Sequence, residues 1–477
     1  MDKKYDVIII GAGIGGLVSA CYLSKAGFKV LIVEKHSKPG GYCTSFDRKG
    51  FRFDVGVHYL GSLRKEEGIL FKILNDLDLS NKLDFITNDP TDRIIIPGKT
   101  IFIRADKNRT KEELFLNFPK EKENINKFFE FILNKDFFSL VSKTKSITFG
   151  ELLSSFFQDA HLKAILSCLL GNMGLPSTRA SALVACILFE EYILDGGYYP
   201  KGGVQIFPDA LSNQLKKFGG ELLLSKEVKK IILKNGAVSG IKLVNGDEIS
   251  TKYVISNADA NLTFSFLLDQ DSQERKIAAQ LSESPSAFVI YLGLRRKLQI
   301  KPKHFTTWYF TNENVDDCYS KELDMRNNHL NYVLCTFASQ IDPSLAPEGK
   351  DTLRIFVGAN YQEKSFWNKN KEIVYRRILN KTQELLGDIE DDIEEKVIGT
   401  PHTFHRYTFN KNGALFGWAA IPTQINRTVM PPETSIKNLF LCGHWVTNGI
   451  GQGGVATVAL SGKNAARLII KQKNNSL

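Results

Sequence analysis

The chain opens with an uninterrupted apolar run, Val7 to Ile10, which is typical of a strand buried on both faces of a parallel sheet. After a glycine-rich turn, the stretch from Leu17 to Ala26 has the composition of a helix. Gly27 ends that helix, and Lys29 to Val33 reads as a second strand. The pattern predicts a β-α-β unit at the N-terminus.

The centre of the chain has a different pattern. Between about Phe85 and Tyr199 glycine becomes rarer and helix-like segments dominate, among them Asn126 to Val141 and Phe149 to Leu170. From about Ser284 to Phe409 strands alternate with helices. These two stretches predict a second, non-nucleotide part of the molecule.

Between those stretches the β-α-β style returns. A helix is predicted from Phe207 to Phe218 and a strand from Glu221 to Leu224, just after Gly202-Gly203. Asn-Gly pairs at 235–236 and 245–246 are hairpin turn signals. They separate three predicted strands, Val228 to Leu233, Val238 to Val244 and Tyr253 to Ser256.

The turn after the first strand has glycines where a dinucleotide site needs them. Gly11 permits a tight turn, Gly13 lets the backbone approach a pyrophosphate, and Gly16 allows close contact between helix and strand. Glu34 follows the second strand, where a carboxylate can accept hydrogen bonds from a ribose diol. These elements are in register, so the segment predicts a nucleotide-binding fold.

A second glycine-rich segment lies at the opposite end of the chain. A strand from Leu439 to Cys442 ends in Gly443, and after Gly454 a helix runs from about Val455 to Ile470. The amides and dipole at the start of this helix can face a flavin pyrimidine and stabilise the anionic reduced ring. The two ends together predict one FAD site.

Gly449, Gly451 and Gly454 also have GxGxxG spacing, which would suggest a second dinucleotide site for NAD(P)H. No strand follows these glycines at the required distance, and no acidic residue occurs after Glu433. No NAD(P)H site is therefore expected.

Composition sets outer limits on the function. The 477 residues suffice for two or three domains, and no apolar run approaches the roughly 18 residues needed to cross a bilayer. Seven cysteines without a C-x-x-C pair argue against a disulfide framework, and no metal site is expected. The basic residues behind the formal charge of +10 are dispersed, so no nucleic-acid partner is expected. Because the nucleotide-binding strand begins almost at Met1, we expect a cytoplasmic protein.

Five motifs in order resemble the phytoene desaturase, carotenoid isomerase and retinol saturase group of flavoproteins over nearly the full length. They are the opening fingerprint, Gly40-Gly41 with Phe53-Asp54-x-Gly56-x-His58, Gly202-Gly203 with 254–259, Thr400 to Tyr407, and the terminal glycines. The resemblance implies an α/β fold with a Rossmann-type FAD-binding domain interleaved with an α+β substrate-binding domain. The predicted FAD-binding parts are 1–84, 200–283 and 411–477, and the predicted substrate parts are 85–199 and 284–410.

By this resemblance the ADP half of FAD is held by Gly11, Gly13, Gly16 and Glu34, with Lys35 beside them. Gly40 and Gly41 would approach the pyrophosphate and ribitol, and Val228 would offer backbone contacts to the adenine. Gly443, His444, Gly454 and Val455 would complete the site at the flavin. His444 departs from the group, because many members have an aspartate there that contacts the ribityl chain or the phosphates.

The 32 phenylalanines, many in the central helix-like stretches, allow two interpretations. They are either core packing or the lining of an apolar tunnel, with some helices touching a bilayer through neighbouring lysines. The lysines concerned are Lys127, Lys135, Lys143 and Lys145. The resemblance favours a polyene or other isoprenoid substrate and a peripheral membrane association.

A polyene substrate implies hydride exchange at flavin N5, in a desaturase, an isomerase or a saturase. His58 is the candidate proton donor or acceptor, although a structural histidine is the alternative. Glu190 and Glu191 are the other candidates for this role, but they are expected on a solvated helix face. A flavin amine oxidase is the main rival function, with Tyr407 and Trp418 enclosing the amine. A non-catalytic flavin-bearing isoprenoid carrier is the second rival, and the oligomeric state stays open.

Overall fold

The computed structural model describes residues 5–133, 136–322, 330–425, 430–446 and 453–474. Its strands are β1 (Tyr5–Ile10), β2 (Val30–Val33), β3 (Ser45–Arg48), β4 (Phe51–Asp54), β5 (Phe85–Thr87), β6 (Asp92–Ile96), β7 (Lys99–Ile103), β8 (Tyr198–Pro200), β9 (Glu221–Leu223), β10 (Val228–Lys234), β11 (Ala237–Leu243), β12 (Glu248–Ser256), β13 (Ser286–Leu294), β14 (Thr306–Phe310), β15 (Tyr332–Thr336), β16 (Asp351–Ala359), β17 (Ile393–Gly399) and β18 (Leu439–Leu441).

The helices are α1 (Ile14–Lys25), α2 (Ile69–Asp76), α3 (Lys107–Asn117), α4 (Lys122–Ile132), α5 (Phe137–Thr144), α6 (Phe149–Phe156), α7 (Ala160–Cys168), α8 (Ala182–Leu188), α9 (Ile206–Lys217), α10 (Ala260–Ser265), α11 (Gln273–Ala278), α12 (Val315–Glu322), α13 (Ala338–Ile341), α14 (Lys364–Leu386), α15 (Pro401–Thr408), α16 (Pro422–Ile425) and α17 (Val455–Asn474). None of these helices has the length and apolar character needed to cross a membrane.

The first sheet brings together strands from both ends of the chain. Its parallel part has the order β18-β12-β1-β2-β9, and the β10-β11 hairpin extends it from β12. The predicted β-α-β unit, the two Asn-Gly hairpins and the C-terminal strand and helix are thereby confirmed. The α/β fold with a Rossmann-type part follows from this sheet.

The second sheet has the order β17-β13-β16-β15-β14-β6-β7 and is antiparallel except between β14 and β6. Its strands come from residues 92–103 and 286–399, on either side of the hairpin strands of the first sheet. A large apolar core packs the helices between residues 107 and 194 against this sheet. The domain boundaries drawn from the sequence remain a prediction.

Two long helices expected in the centre are each broken in two. The expected helix 126–141 ends as α4 and resumes as α5, whose first turn is capped by the Asp136 carboxylate accepting from the Ser139 amide. The expected helix 149–170 is divided into α6 and α7, where Asp159 caps the second piece. A capping aspartate adopts extended backbone and starts a new helix, so the single-helix predictions were wrong.

Glycines also allow α1 and α17 to pack closely. A Cβ atom at Gly462 of α17 would lie 2.2 Å from the carbonyl oxygen of Gly15 in α1. A Cβ atom at Gly16 would lie 2.2 Å from the carbonyl oxygen of Gly11, so the expected role of Gly16 in close packing is confirmed. The two ends of the chain are thus in direct backbone contact beside the glycine-rich turn.

Candidate cofactor and substrate site

One cavity of about 830 Å³ extends from the glycine-rich turn into the space beside the second sheet. This volume is near the upper end of the roughly 300–1,000 Å³ of ligand sites. Its outer half is lined by the predicted nucleotide residues, and its inner half by side chains of β13, β15, β16, β17 and α8. A cavity divided in this way can hold a polar ligand in its outer half and an apolar ligand in its inner half.

The glycine-rich turns form a cradle that any side chain would fill. Gly13 and Gly40 lie side by side in an isolated bridge, and the Gly40 amide donates to the Ala12 carbonyl at 2.8 Å. A Cβ atom at Gly13 would lie 2.8 Å from Nδ2 of Asn257. Gly40 and Gly41 adopt φ of 127° and 60°, which glycine tolerates best. The residues fit a pyrophosphate approached by backbone amides.

Glu34 and Lys35 lie at the edge of this cradle, where a ribose is expected from the sequence. The Glu34 carboxylate accepts hydrogen bonds from the amides of Ala12 at 2.7 Å and His36 at 2.8 Å. Each oxygen keeps a further lone pair for a ribose hydroxyl. Burial lowers the pKa of Lys35 to about 8, and its ammonium lies 3.2 Å from the ring centre of Phe409.

The far end of the outer half offers an apolar slot. Val228 begins β10 and is buried, whereas Val244 and Phe266 also line the cavity and are 57% and 65% exposed. Large apolar side chains exposed this way are covered when a planar ring lies on them. The slot fits the adenine expected beside Val228.

The C-terminal segment closes the outer half from the other side. Gly443 has φ of 95° and donates its amide to the Ser461 hydroxyl at 2.7 Å. His444 faces the cavity, and the Asn410 amide lies 3.3 Å from its Nε2. Gly454 and Val455 line the same space at the start of α17. Gly449 and Gly451 lie outside the described residues.

We expect His444 to make stability depend on pH. Burial lowers its pKa to about 4, so the unfolded chain, with a pKa near 6.5, takes up a proton first as the pH falls. The stabilisation is complete above about pH 6.5 and is lost towards pH 4. Between pH 7 and pH 5 the free energy of unfolding should fall by roughly 2 kcal/mol more in wild type than in His444→Gln.

Urea unfolding of the FAD-loaded protein at both pH values measures this difference. His161→Gln on α7 is the matched control, because that side chain is 40% exposed and outside the cavity wall. Equal pH slopes for wild type and His444→Gln would contradict the assignment.

The wall of the inner half is one face of the second sheet. Along each strand, side chains two residues apart point to the same face of the sheet. Across the four paired strands β17, β13, β16 and β15 they form two rows. The apolar row is Gly399, Val289, Phe356 and Leu334. The other row, the polar row, is Val397, Tyr291, Arg354 and Thr336. Val184, Ile187 and Leu188 of α8 line the cavity too.

His58 faces this inner half and is held in place by aromatic residues. Its Nε2 lies 3.0 Å from the Tyr192 hydroxyl, and the ring of Tyr192 stacks on Tyr59 at 4.6 Å. The Tyr59 hydroxyl donates to the buried Asp92 at 2.9 Å, which also accepts from Trp308. Burial, and then the charge of Arg354, hold the pKa of His58 well below its ordinary value, so the imidazole is neutral.

The expectation that Glu190 and Glu191 form a solvated helix face was wrong. They lie in a π-helical turn, Phe189–Ile193, and Glu191 accepts from Arg64 at 2.9 Å and from Ser62. Burial raises the pKa of Glu190. The Glu191 carboxylate and the Glu190 backbone carbonyl, which accepts from Arg64 at 2.9 Å, fix the segment that carries Tyr192.

Among the described residues, the phenylalanines of the central helices do not line the cavity: most are packed in the core, whereas Phe137 and Phe138 of α5 are exposed. Phe128 and Phe157 are fully enclosed, and Phe129 is buried beside them. The phenylalanines that line the cavity come from elsewhere: Phe46, Phe266, Phe356, Phe404, Phe409 and Phe416. The tunnel interpretation was wrong for those helices because their apolar faces pack on one another.

Three important polar residues were missed as site residues. Asn257 packs against Gly13 and Gly443, and Asn410 ties together Tyr42, His444 and Trp445. Arg354 lies inside a mainly apolar strand, where a charged residue was a readable signal. Within the described residues, no group of three or more acidic, histidine or cysteine side chains could hold a metal.

The family described as flavin containing amine oxidoreductase matches residues 14–470. The chain belongs to this family. It is an FAD-dependent oxidoreductase, and the cradle and slot described above fit that cofactor. This result does not support the non-catalytic carrier considered from the sequence.

Similar proteins include prolycopene isomerase of Daucus carota, 29% identical, with 99% of this chain and 82% of that protein covered. All-trans-retinol 13,14-reductase of Danio rerio is 27% identical over 93% of this chain and 83% of its own. The 4,4'-diapophytoene desaturase of Methylomonas sp is 28% identical, with 98% of this chain and 96% of that protein covered. The resemblance to the phytoene desaturase, carotenoid isomerase and retinol saturase group is thereby confirmed.

Solved structures confirm the fold. An oxidoreductase from Methanosarcina mazei has a TM-score of 0.70 and 21% identity, covering 98% of this chain and 100% of its own. Putrescine oxidase bound to putrescine has a TM-score of 0.66 and 16% identity, with 98% of this chain and 99% of that chain covered. At such identities the likeness extends to the fold alone.

Proposed function

We propose that the protein oxidises, reduces or isomerises a hydrophobic polyene or isoprenoid, of the carotenoid or retinoid type, beside its FAD. The observation that carries the proposal is the apolar inner half of the cavity, which is continuous with the cofactor half. The relatives named for prolycopene, retinol and diapophytoene support the same substrate class. FAD, when bound, supplies hydride exchange at N5.

The chain's own residues position the substrate and handle a proton. The apolar row of the second sheet and the side chains of α8 hold a hydrocarbon chain by shape and exclude water. A desaturation releases one proton and a saturation takes one up, whereas an isomerisation does neither in net terms. We assign the exchange of that proton to His58, and the hydrogen bond between its Nε2 and the Tyr192 hydroxyl supports this assignment.

His58→Phe is expected to slow a desaturation or saturation by roughly 100-fold or more, because general acid–base groups contribute about that much. The flavin content should stay that of wild type. Product formation with purified protein measures the effect, and His161→Phe on α7 is the control. Unchanged turnover of His58→Phe would mean that His58 has only a structural role.

The positions of Trp418 and Tyr407, the two aromatic residues considered for enclosing an amine, weaken the amine oxidase alternative. Trp418 is fully buried, packs edge-on against Trp445 at 4.8 Å and donates to its carbonyl oxygen at 2.9 Å. Tyr407 is half exposed near His36 in the outer half. The two rings therefore belong to different environments and do not enclose one substrate.

Expression in a strain that accumulates phytoene or lycopene tests the proposal. Chromatography should show a changed pigment pattern with the wild-type protein and none with a variant that lacks FAD. Unchanged pigment, together with hydrogen peroxide release from a primary amine by the purified protein, would favour the amine oxidase.

We also propose that a surface on α5 touches a membrane from which the substrate is taken. Phe138 is 86% exposed, and Lys143 and Lys145 lie nearby on and after α5. Helix α5 packs on α8, which lines the cavity. Lys135 lies outside the described residues.

Phe138→Ser should lower binding to vesicles containing anionic lipid several-fold in a sedimentation assay, because an exposed aromatic ring inserts at the interface. Ile373→Ser on α14, where the side chain is 51% exposed, is the control. If both variants bound vesicles as well as wild type does, α5 would not be part of the membrane contact.

A further inference from the structure

The polar row of the cavity wall contains a buried arginine. Arg354 is 8% exposed and lines the inner half, flanked across the sheet by Tyr291 and Thr336. The neighbouring row, two residues along each strand, is apolar. A cationic side chain therefore lies directly beside an apolar row of the binding surface.

The hydrogen bonds of Arg354 all go to neutral oxygens, and the Asp54 carboxylate attracts its charge without forming an ion pair with it. Nη1 donates to the carbonyl oxygens of Gly56 at 2.8 Å and Val57 at 3.3 Å, and Nη2 reaches the Thr336 hydroxyl at 3.4 Å. Nε has no partner among the described residues. Carbonyl and hydroxyl oxygens supply dipoles, but no negative charge.

No carboxylate of the described residues forms an ion pair with Arg354. Asp54 is nearby, but its oxygens accept from the Ser45 hydroxyl at 2.6 Å, the Val204 amide at 3.0 Å and the Tyr199 hydroxyl. Burying a guanidinium without an ion-pair partner is costly. Such a cost persists in a binding cavity when a ligand supplies the missing anion.

We propose that Arg354 binds a carboxylate at one end of the substrate, so that the enzyme acts on a polyene acid rather than on a pure hydrocarbon. This inference rests on the proposed function and specifies its substrate class. A planar guanidinium matches a carboxylate with paired hydrogen bonds. The Thr336 hydroxyl, which accepts from Nη2 at 3.4 Å, keeps its hydrogen for the same end group, whereas the Tyr291 hydroxyl donates to the Val55 carbonyl at 2.7 Å.

The apolar row would then hold the polyene chain while the polar row fixes its end. The distance between the end group and His58 sets which carbon atoms face the proton-exchanging group. Arg354 thus decides the position of the reaction along the chain as well as the choice of substrate.

The test compares cis-parinaric acid, a fluorescent conjugated tetraene, with its methyl ester in binding titrations of the FAD-loaded protein. The two probes share the polyene and differ in the anionic charge. The acid should bind wild type about tenfold to hundredfold more tightly than the ester, which is the effect of a charge-assisted hydrogen bond. Arg354→Met should remove that preference, and Arg354→Lys should keep part of it.

Arg179→Met is the control, because Arg179 is an exposed arginine that does not line the cavity. It should keep the full preference for the acid. The FAD content and circular dichroism of each variant identify misfolding, and the wild-type comparison does not depend on any variant.

Equal binding of acid and ester to wild type would overturn the inference and leave polyene binding intact. A preference that survives in Arg354→Met would overturn it as well. Failure of both probes to bind would count against the proposed function itself.

Discussion

Gly13→Leu is expected to give a folded protein that purifies without FAD. The backbone of Gly13 has φ of −67°, which any residue adopts, and the nearest atom to a new Cβ is the amide nitrogen of Asn257 at 2.8 Å. A side-chain amide can move aside, so the fold survives. The leucine then occupies the space through which the backbone approaches the pyrophosphate.

We expect the affinity for FAD to fall by about 100-fold or more, which is roughly 2.7 kcal/mol. The flavin-to-protein ratio after purification measures it, alongside circular dichroism. Gly27→Asn, at the other end of α1, is the control, because no atom lies within 4 Å and asparagine tolerates its φ of 78°. Stoichiometric FAD in Gly13→Leu would show that the cradle was assigned wrongly.

Gly462→Val is expected to destabilise the whole protein. Its Cβ would lie 2.2 Å from the Gly15 carbonyl oxygen and 3.1 Å from Gly15 Cα, so relief requires α1 and α17 to separate. Overpacking of this kind costs about 3 kcal/mol. The displaced Gly15 belongs to the glycine-rich turn, so FAD binding should weaken too.

Urea unfolding and FAD titration measure both effects. Arg467→Val places the same β-branched residue on an exposed position of α17 and controls for helix propensity. If the two variants lost similar stability, close packing of the two chain ends would not be the reason.

Local patterns explain how much of the fold could be predicted. The first strand is apolar from Val7 to Ile10 because that part is buried on both faces, and Asn235-Gly236 adopts the positive φ angles that its hairpin needs. The central helix breaks were readable too, since Asp136 and Asp159 are capping residues. They were missed because the apolar spacing continues on both sides of each break.

The inner half of the site could not be predicted in the same way. Arg354, Tyr291 and Thr336 meet only because their strands are neighbours in the second sheet, although they are far apart in sequence. His58 was identified from its motif, but its partner Tyr192 lies in a π-helical turn that no local pattern indicated. Tertiary pairing, rather than composition, made this part of the site.

The most direct measurement incubates the purified, FAD-loaded protein with phytoene, lycopene, retinol and retinoic acid, with the flavin oxidised and reduced, followed by chromatography of the polyenes. The account predicts that at least one polyene is converted in at least one flavin state, and that Gly13→Leu converts none. No conversion in either state, with peroxide formed from a primary amine, would contradict it.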